Sequence, residues 1–279
     1  MKVSGKEVAE GILKKLEQEI KKNKLHPGLA IILAGEDPFS RIYVRNKIKN
    51  AKRIGIDARL FEFSRNEKEK VLQTIKKLNE DSSVDGIIIQ YPVYEGWKFD
   101  ELANKVDPQK DVDGFLIDSP FRGATALGVW EMLYAFAKHE GFKNVKNFLN
   151  GKNIVLLGKG KTAGGPTRSL LQNEGINFTL IDSKTENPNK IIKKADVVIS
   201  ATGKKNIING SNIKRGTYVI GVGIGKEIID GKEKIYGDIN EEEVSKKAKL
   251  YCPTIGGIGP LTVACLLRNV VESSKKVRT

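Results

Sequence analysis

Gly151-Lys152-Asn153-Ile154-Val155-Leu156-Leu157-Gly158-Lys159-Gly160-Lys161-Thr162-Ala163-Gly164-Gly165-Pro166 is the stretch whose reading decides the fold. Residues 151–157 read as a strand, 158–166 as a glycine-rich loop, and Thr167 to Asn173 as the helix that the loop enters. Gly158, Gly160 and Gly164 stand where a Rossmann-type loop lets the backbone approach a pyrophosphate. The helix behind them offers unpaired N–H groups and the positive end of its dipole. The Gly-x-Gly-x-x-x-Gly spacing departs from the common fingerprint, so the strand–loop–helix context carries the dinucleotide reading.

Downstream, Asn177 to Asp182, Asp196 to Ala201 and Thr217 to Val222 read as strands, with a helix over Pro188 to Lys194. Asp182 ends its strand 24 residues after Gly158, where an acid takes the ribose hydroxyls of NAD and repels a 2′-phosphate. Lys159, Ser183 and Lys184 instead suit that phosphate. NADP is the expected cofactor, with NAD left open by Asp182.

Upstream lies a first series of the same kind. Residues 6–23 read as an amphipathic helix with Val8, Ile12, Leu16 and Ile20 on one face. The continuous apolar run Leu29 to Ala34 reads as a strand buried on both faces. Strands are also expected over Asp57 to Ser64 and Gly86 to Gln90, with a helix over Lys68 to Leu78 between them. Alternating strands and helices imply a parallel α/β sheet, and ligands of such sheets gather beyond the carboxyl ends of strands, where Gln90 falls. A long helix over Thr125 to Lys138 bridges the two series.

Between the first two strands, Asp37 and Pro38 open a helix that Gly55 closes, with apolar residues at Ile42, Ile48, Ala51 and Ile54. Tyr43 and Lys47 are four apart, about 40° from each other around the axis, so a phenol and an amine share a face. Taken alone, such a pair fits a solvated basic helix surface better. The chain's other groups sharpen the choice. Only His26 and His139 exist, and neither sits in a Ser-His-Asp, Cys-His or His-Glu-x-x-His context, so acid–base work falls to Lys, Asp, Glu or Tyr. Cys252 and Cys265 form no Cys-x-x-Cys pair, and the Asp111-Val112-Asp113 loop lacks further ligands, so no metal is expected.

The composition is that of a globular protein, with 39% hydrophobic and 29% charged residues. No apolar run approaches the ~20 residues needed to span a bilayer, and the charged N-terminal segment lacks a signal-peptide core. A cytoplasmic protein without membrane attachment is expected. The net charge of +14 fits either nucleic-acid binding or a basic cleft for an anionic small molecule. Lysines spread along the whole length, without an arginine-rich arm, count against the first, and a lysine-rich source composition is a third explanation, so the charge leaves the choice open; no nucleic-acid partner is expected.

Several segments, in this order, resemble the bifunctional methylenetetrahydrofolate dehydrogenase/methenyltetrahydrofolate cyclohydrolase (FolD) family nearly end to end. They are Tyr43-Val44-x-x-Lys47-x-Lys49, Gly86-Ile87-Ile88-Ile89-Gln90-x-Pro92, Lys110-Asp111-Val112-Asp113-Gly114, Gly158 to Pro166, Gly237-Asp238, and Pro253-x-x-Gly256-Gly257-Ile258-Gly259-Pro260-x-Thr262. The resemblance implies an α/β fold of two domains. A folate-binding catalytic domain covers 1–122 with a returning helix over 260–279, and a Rossmann NAD(P)-binding domain covers 123–259. It implies NADP-linked oxidation of 5,10-methylenetetrahydrofolate, then hydrolysis to 10-formyltetrahydrofolate, within one-carbon metabolism and purine biosynthesis, by a homodimer paired through the Rossmann domain.

By the same resemblance Lys47 is the central catalytic residue, Tyr43 and Gln90 position it and the folate, and Asp113 binds the pterin. Gly256, Gly257, Ile258, Gly259 and Pro260 border the substrate, while Gly158, Lys159, Gly160, Ser183 and Ile224 match nucleotide-contacting positions. The chain departs from the family at Lys159-Gly160 (usually Arg-Ser) and at Asp182 (usually His), which bears on cofactor preference. It departs again at Tyr91, Val93-Tyr94 and Ile255, on the rim of the folate site. Three other readings stand beside this one: a monofunctional dehydrogenase of the same family, a shikimate-dehydrogenase-like oxidoreductase, and a basic nucleic-acid-binding protein.

Overall fold

The computed structural model describes residues 1–229 and 232–276. Elements follow in chain order as α1 (Gly5–Asn23), β1 (Gly28–Leu33), α2 (Pro38–Arg53), β2 (Asp57–Glu62), α3 (Lys68–Glu80), β3 (Gly86–Ile89) and α4 (Phe99–Ala103). Then come α5 (Ala124–His139), α6 (Val145–Leu149), β4 (Ile154–Leu157), α7 (Gly164–Asn173), β5 (Thr179–Ile181), α8 (Pro188–Ile192), β6 (Val197–Ser200) and β7 (Tyr218–Gly221). The chain finishes with β8 (Ile224–Ile229), β9 (Lys232–Gly237), α9 (Glu241–Ser245), β10 (Leu250–Cys252) and α10 (Ile258–Lys276).

Two compact units divide these elements: Glu10–Ala124 with Val263–Thr279, and Met1–Ala9 with Thr125–Thr262. The sequence reading placed the N-terminus wholly with the first unit. Instead, Lys2 bridges to Tyr251 and the Val3 N–H donates to the Tyr251 carbonyl at 2.9 Å, tying the first residues to β10 in the second unit.

The first unit holds a three-stranded parallel sheet in the order β2-β1-β3. Central β1 is buried throughout and apolar throughout, as a strand covered on both faces must be. Edge strand β2 alternates from Arg59 on, with Arg59 and Phe61 half-buried and Leu60 and Glu62 exposed. Ile32, Ile75, Ile87, Leu102 and their neighbours form the core on one face. The buried stripe of α1 runs through Ala9, Leu13, Leu16 and Ile20 rather than Val8 and Ile12. A row of strict four-residue spacing drifts about 40° per step, so only mixed three- and four-residue spacing stays on one face. On α10, the Asn269 Nδ2 donates to the Val112 carbonyl at 2.8 Å and Val270 packs beside Gly86, which fixes the chain before Asp113.

The second unit is a five-stranded parallel sheet, β10-β7-β6-β4-β5, with a separate antiparallel hairpin β8-β9. The strand order reverses at β4, with β6 on one side and β5 on the other, and this is where doubly wound sheets bind nucleotides. Helix α7 begins at Gly164, three residues earlier than expected, so the last glycine of the loop is already helical. Pro166 fits there because the first turn of a helix has no intrahelical partner for its N–H groups. Likewise α10 starts at Ile258, two residues earlier than expected, so Gly259-Pro260 lies inside its first turn. The hairpin carried no clear sequence signal: its β8 strand reads Ile224-Gly225-Lys226-Glu227-Ile228-Ile229, and its connection lies at 230–231, outside the described residues.

Candidate active site

Helix α2 starts as its sequence suggests, with the Asp37 side chain accepting from the Ser40 N–H at 2.8 Å and Pro38 in the first turn. Its buried row is Ser40, Val44, Lys47 and Ala51, spaced four, three and four. Ile42, counted by sequence among the apolar positions, is 50% exposed. Lys47 therefore occupies a position on the core-facing stripe, with only 7% of its surface exposed. A buried lysine needs a polar partner. It has one: Lys47 Nζ donates to Gln90 Oε1 at 3.0 Å, just past the end of β3. Gln90 is itself held, because its Nε2 donates to the Tyr91 carbonyl at 2.7 Å.

Burial pushes the Lys47 amine below the usual lysine range, and the negative charge of Asp113 partly restores it. Asp113 responds in the opposite sense. Burial raises its carboxyl above the usual range, and Lys47 pulls it back. Asp113 borders a small cavity that it shares with Asp111, lined otherwise by the apolar Ile87, Ile89, Phe99, Ala103, Val106 and Phe115, a setting that keeps water from its carboxyl. Tyr43 is half-buried one turn before Lys47, and burial raises its phenol. Tyr43, Lys47, Gln90 and Asp113 thus belong to one unit, and Lys47 is the group that links Gln90 and Asp113.

Sequence reasoning passed over what holds the Asp113 loop. Asp111 is buried and accepts from the Leu116 N–H at 2.8 Å, closing the loop around Asp113. Lys110 Nζ donates to the carbonyls of Leu78 (2.9 Å) and Asp81 (2.8 Å), satisfying the end of α3. A lysine in the last turn's vicinity is a legible signal of this kind, but only tertiary contact shows which helix it serves.

In the second unit Gly158 has φ +91°, and a Cβ there would lie 2.4 Å from the Ala201 carbonyl oxygen. A Cβ on Gly164 would lie 2.4 Å from the Gly158 carbonyl oxygen, so helix and loop touch through bare backbone. This is the cradle a pyrophosphate requires, and the residues present fit a dinucleotide. Lys159 Nζ and Asp182 Oδ2 are 2.8 Å apart, and the Lys184 N–H donates to Asp182 Oδ1 at 2.9 Å. The Lys159 hydrogen bond is the main reason that the Asp182 carboxyl lies below its usual range. Gly160 and Ser183 are exposed beside them, and Ile224 opens the hairpin next to Gly203. The segment 256–260 falls in this unit too. Gly257 is hemmed in by the Pro253 carbonyl, and Ile258 is buried, so those two residues present backbone rather than side chain. Among the described residues no cluster of three or more His, Cys, Asp or Glu is placed to hold a metal ion, and no helix is long and apolar enough to cross a membrane.

A buried lysine–glutamine–aspartate group on one α/β unit and a phosphate loop on another define a dinucleotide-linked α/β enzyme. Two family models match: the catalytic domain of tetrahydrofolate dehydrogenase/cyclohydrolase over residues 3–113, and its NAD(P)-binding domain over 123–278. The bifunctional protein FolD of Rickettsia bellii is 38% identical over 98% of this chain and 98% of its own. Solved structures agree. The FolD enzyme of Campylobacter jejuni superposes with a TM-score of 0.88 at 32% identity, covering 99% of each chain. That of Trypanosoma brucei, complexed with NADP cofactor and inhibitor, gives 0.90 at 29%, covering 100% of this chain and 99% of its own. The chain belongs to the tetrahydrofolate dehydrogenase/cyclohydrolase family, as a bifunctional enzyme acting on methylenetetrahydrofolate.

Proposed function

We propose that the two half-reactions divide between the two units' residues, with Lys47 carrying the hydrolysis. A bound dinucleotide supplies a nicotinamide that accepts hydride from the one-carbon bridge of 5,10-methylenetetrahydrofolate. The methenyl cation so formed is stabilised by its own two nitrogens, so the chain's task in that step is to hold and orient its ligands. Gly158, Gly160 and the N-terminus of α7 hold the pyrophosphate, and Asp113 accepts hydrogen bonds from the pterin amino and ring N–H groups.

Hydrolysis needs proton movement. Water attacks the methenyl carbon, a C–O bond forms, and Lys47 takes the proton. The bond from that carbon to N5 then breaks as the carbinol O–H gives up its proton and becomes the formyl C=O, N5 takes up a proton in its place, and the formyl group remains on N10, with one proton released overall. The observation that carries this assignment is the buried amine of Lys47, 3.0 Å from Gln90 and displaced by burial toward its neutral form. Gln90 fixes the amine, and Tyr43 orients it or stacks on the folate. Gly256, Gly257 and Gly259 of the 256–260 segment carry no side chain, which supports the reading that this segment borders the substrate.

NADP is the proposed cofactor, as in the Trypanosoma brucei structure, with Lys159, Ser183 and Lys184 available to a 2′-phosphate. Asp182 favours acceptance of NAD as well, since its carboxylate is set at the end of β5 where ribose hydroxyls lie. A homodimer paired through the Rossmann-type unit is proposed too. In support, β8-β9 exposes Ile224, Ile228 and Ile235 on one face. A reducing cytoplasm suits Cys252 and Cys265, both buried and neither in a disulfide.

The test is Lys47→Met, assayed for each half-reaction with NADP and NAD in parallel. Cyclohydrolase turnover is expected to fall to background while some dehydrogenase activity persists. Full cyclohydrolase turnover by the variant would remove Lys47 from the mechanism.

A further inference from the structure

Asp238 has no part in the chemistry described above, yet it is fully buried at the end of β9. Its Oδ2 accepts two hydrogen bonds: from Ser200 Oγ at 2.6 Å and from the Thr202 N–H at 2.7 Å. Its Oδ1 is buried and has no partner among the described residues. A buried polar atom without a partner is destabilising, so packing alone does not account for an aspartate here. Room for the group comes from Gly223, where a Cβ would lie 2.5 Å from both carboxyl oxygens.

What the carboxyl holds is the chain leaving β6. Ser200 is the last residue of that strand, and Thr202 begins the turn that Gly203 completes at φ +68°. Between them, Ala201 presents the carbonyl that would meet a Cβ on Gly158 at 2.4 Å, and Thr202 Cγ2 would meet it at 3.3 Å. The segment 200–203 is therefore the wall against which the glycine-rich loop packs. The Ala201 N–H is committed to the Leu157 carbonyl at 2.8 Å, and the turn after it is held through the Thr202 N–H. On the far side, Gly203 lies against the Ile224 carbonyl.

We infer that Asp238 is a positioning residue for the dinucleotide: through Ser200 and the Thr202 N–H it fixes the wall of the Gly158 loop, and so sets cofactor affinity without touching the folate half of the chemistry. The inference rests on the dinucleotide reading of that loop. The experiment compares wild type, Asp238→Ala, Asp238→Asn and Ser200→Ala. Readouts are direct NADP and NAD titration by fluorescence or calorimetry, thermal melting, and cyclohydrolase turnover on methenyltetrahydrofolate. Asp238→Ala is expected to raise the Kd for both dinucleotides by about tenfold, the scale of one lost hydrogen bond to a carboxyl oxygen. Asp238→Asn keeps an acceptor oxygen and should fall between Ala and wild type. The KM for dinucleotide should rise with Kd, while cyclohydrolase turnover stays within the range of wild type. Unchanged dinucleotide affinity in Asp238→Ala overturns the inference. So does a parallel loss of both activities with melting temperature in all three variants, which marks a purely structural carboxyl. Failure of the wild type to bind either dinucleotide would instead overturn the reading of the loop, and the inference with it.

Discussion

Lys47 shows how one residue is made reactive by position. On a solvated helix face its amine would keep its proton across the neutral range. On the buried row of α2 it loses hydration, retains one hydrogen bond to Gln90, and feels the carboxyl of Asp113. Burial and Asp113 act on it in opposite directions, which yields a testable pH dependence. If neutral Lys47 is the working form, cyclohydrolase turnover rises with pH through the Lys47 pKa, an inflection below that of free lysine. Asp113→Asn removes the interaction that raises this pKa, so the inflection in saturating substrate should move to lower pH. An inflection that stays in place or moves up would show that Asp113 does not act on Lys47. Asp182 is the counterexample: its carboxyl is lowered by Lys159 at the surface, where solvent screens the pair.

Among the elements, the turn from β4 to α7 is the most constrained. Gly158 combines a left-handed φ with a backbone carbonyl 2.4 Å from where a Cβ would stand. Any side chain there is strained twice, by conformation and by contact. Gly158→Ala should therefore weaken NADP binding at least tenfold, the effect of about 1.4 kcal/mol. Cyclohydrolase turnover depends on the other unit's residues and should persist. Titration of the purified variant reads the first, and hydrolysis of methenyltetrahydrofolate reads the second. Gly160 is the contrast within the same loop, since a Cβ there meets nothing within 4 Å. The glycine pattern in the sequence did not distinguish these two positions, because the obstacle at Gly158 is the end of β6, some forty residues further along the chain.

At the scale of the molecule, the proposed function gives each α/β unit a different half of the chemistry, and one face of the hairpin β8-β9 exposes Ile224, Ile228 and Ile235 beside Lys226 and Glu233. Ile228 is 76% exposed, one residue before the end of β8. If the homodimer forms there, Ile228→Lys should shift the protein toward monomer in sedimentation velocity while the melting of each unit is little changed. A wild-type monomer at micromolar concentration would dispose of that assembly. By itself the sequence determined the two βαβ series, the strand–loop–helix at Gly158, the capped start of α2 and the acid–base groups left once histidine is scarce. These follow from local periodicity, from turn and cap chemistry, and from composition, all of which are written within a few residues. Tertiary structure alone decided that Lys47 faces inward beside Gln90 and Asp113, that Met1–Ala9 joins the second unit, and that Asp238 braces the turn after β6. Burial and hydrogen bonding across long separations depend on which surfaces meet, and no stretch of sequence contains its own partner.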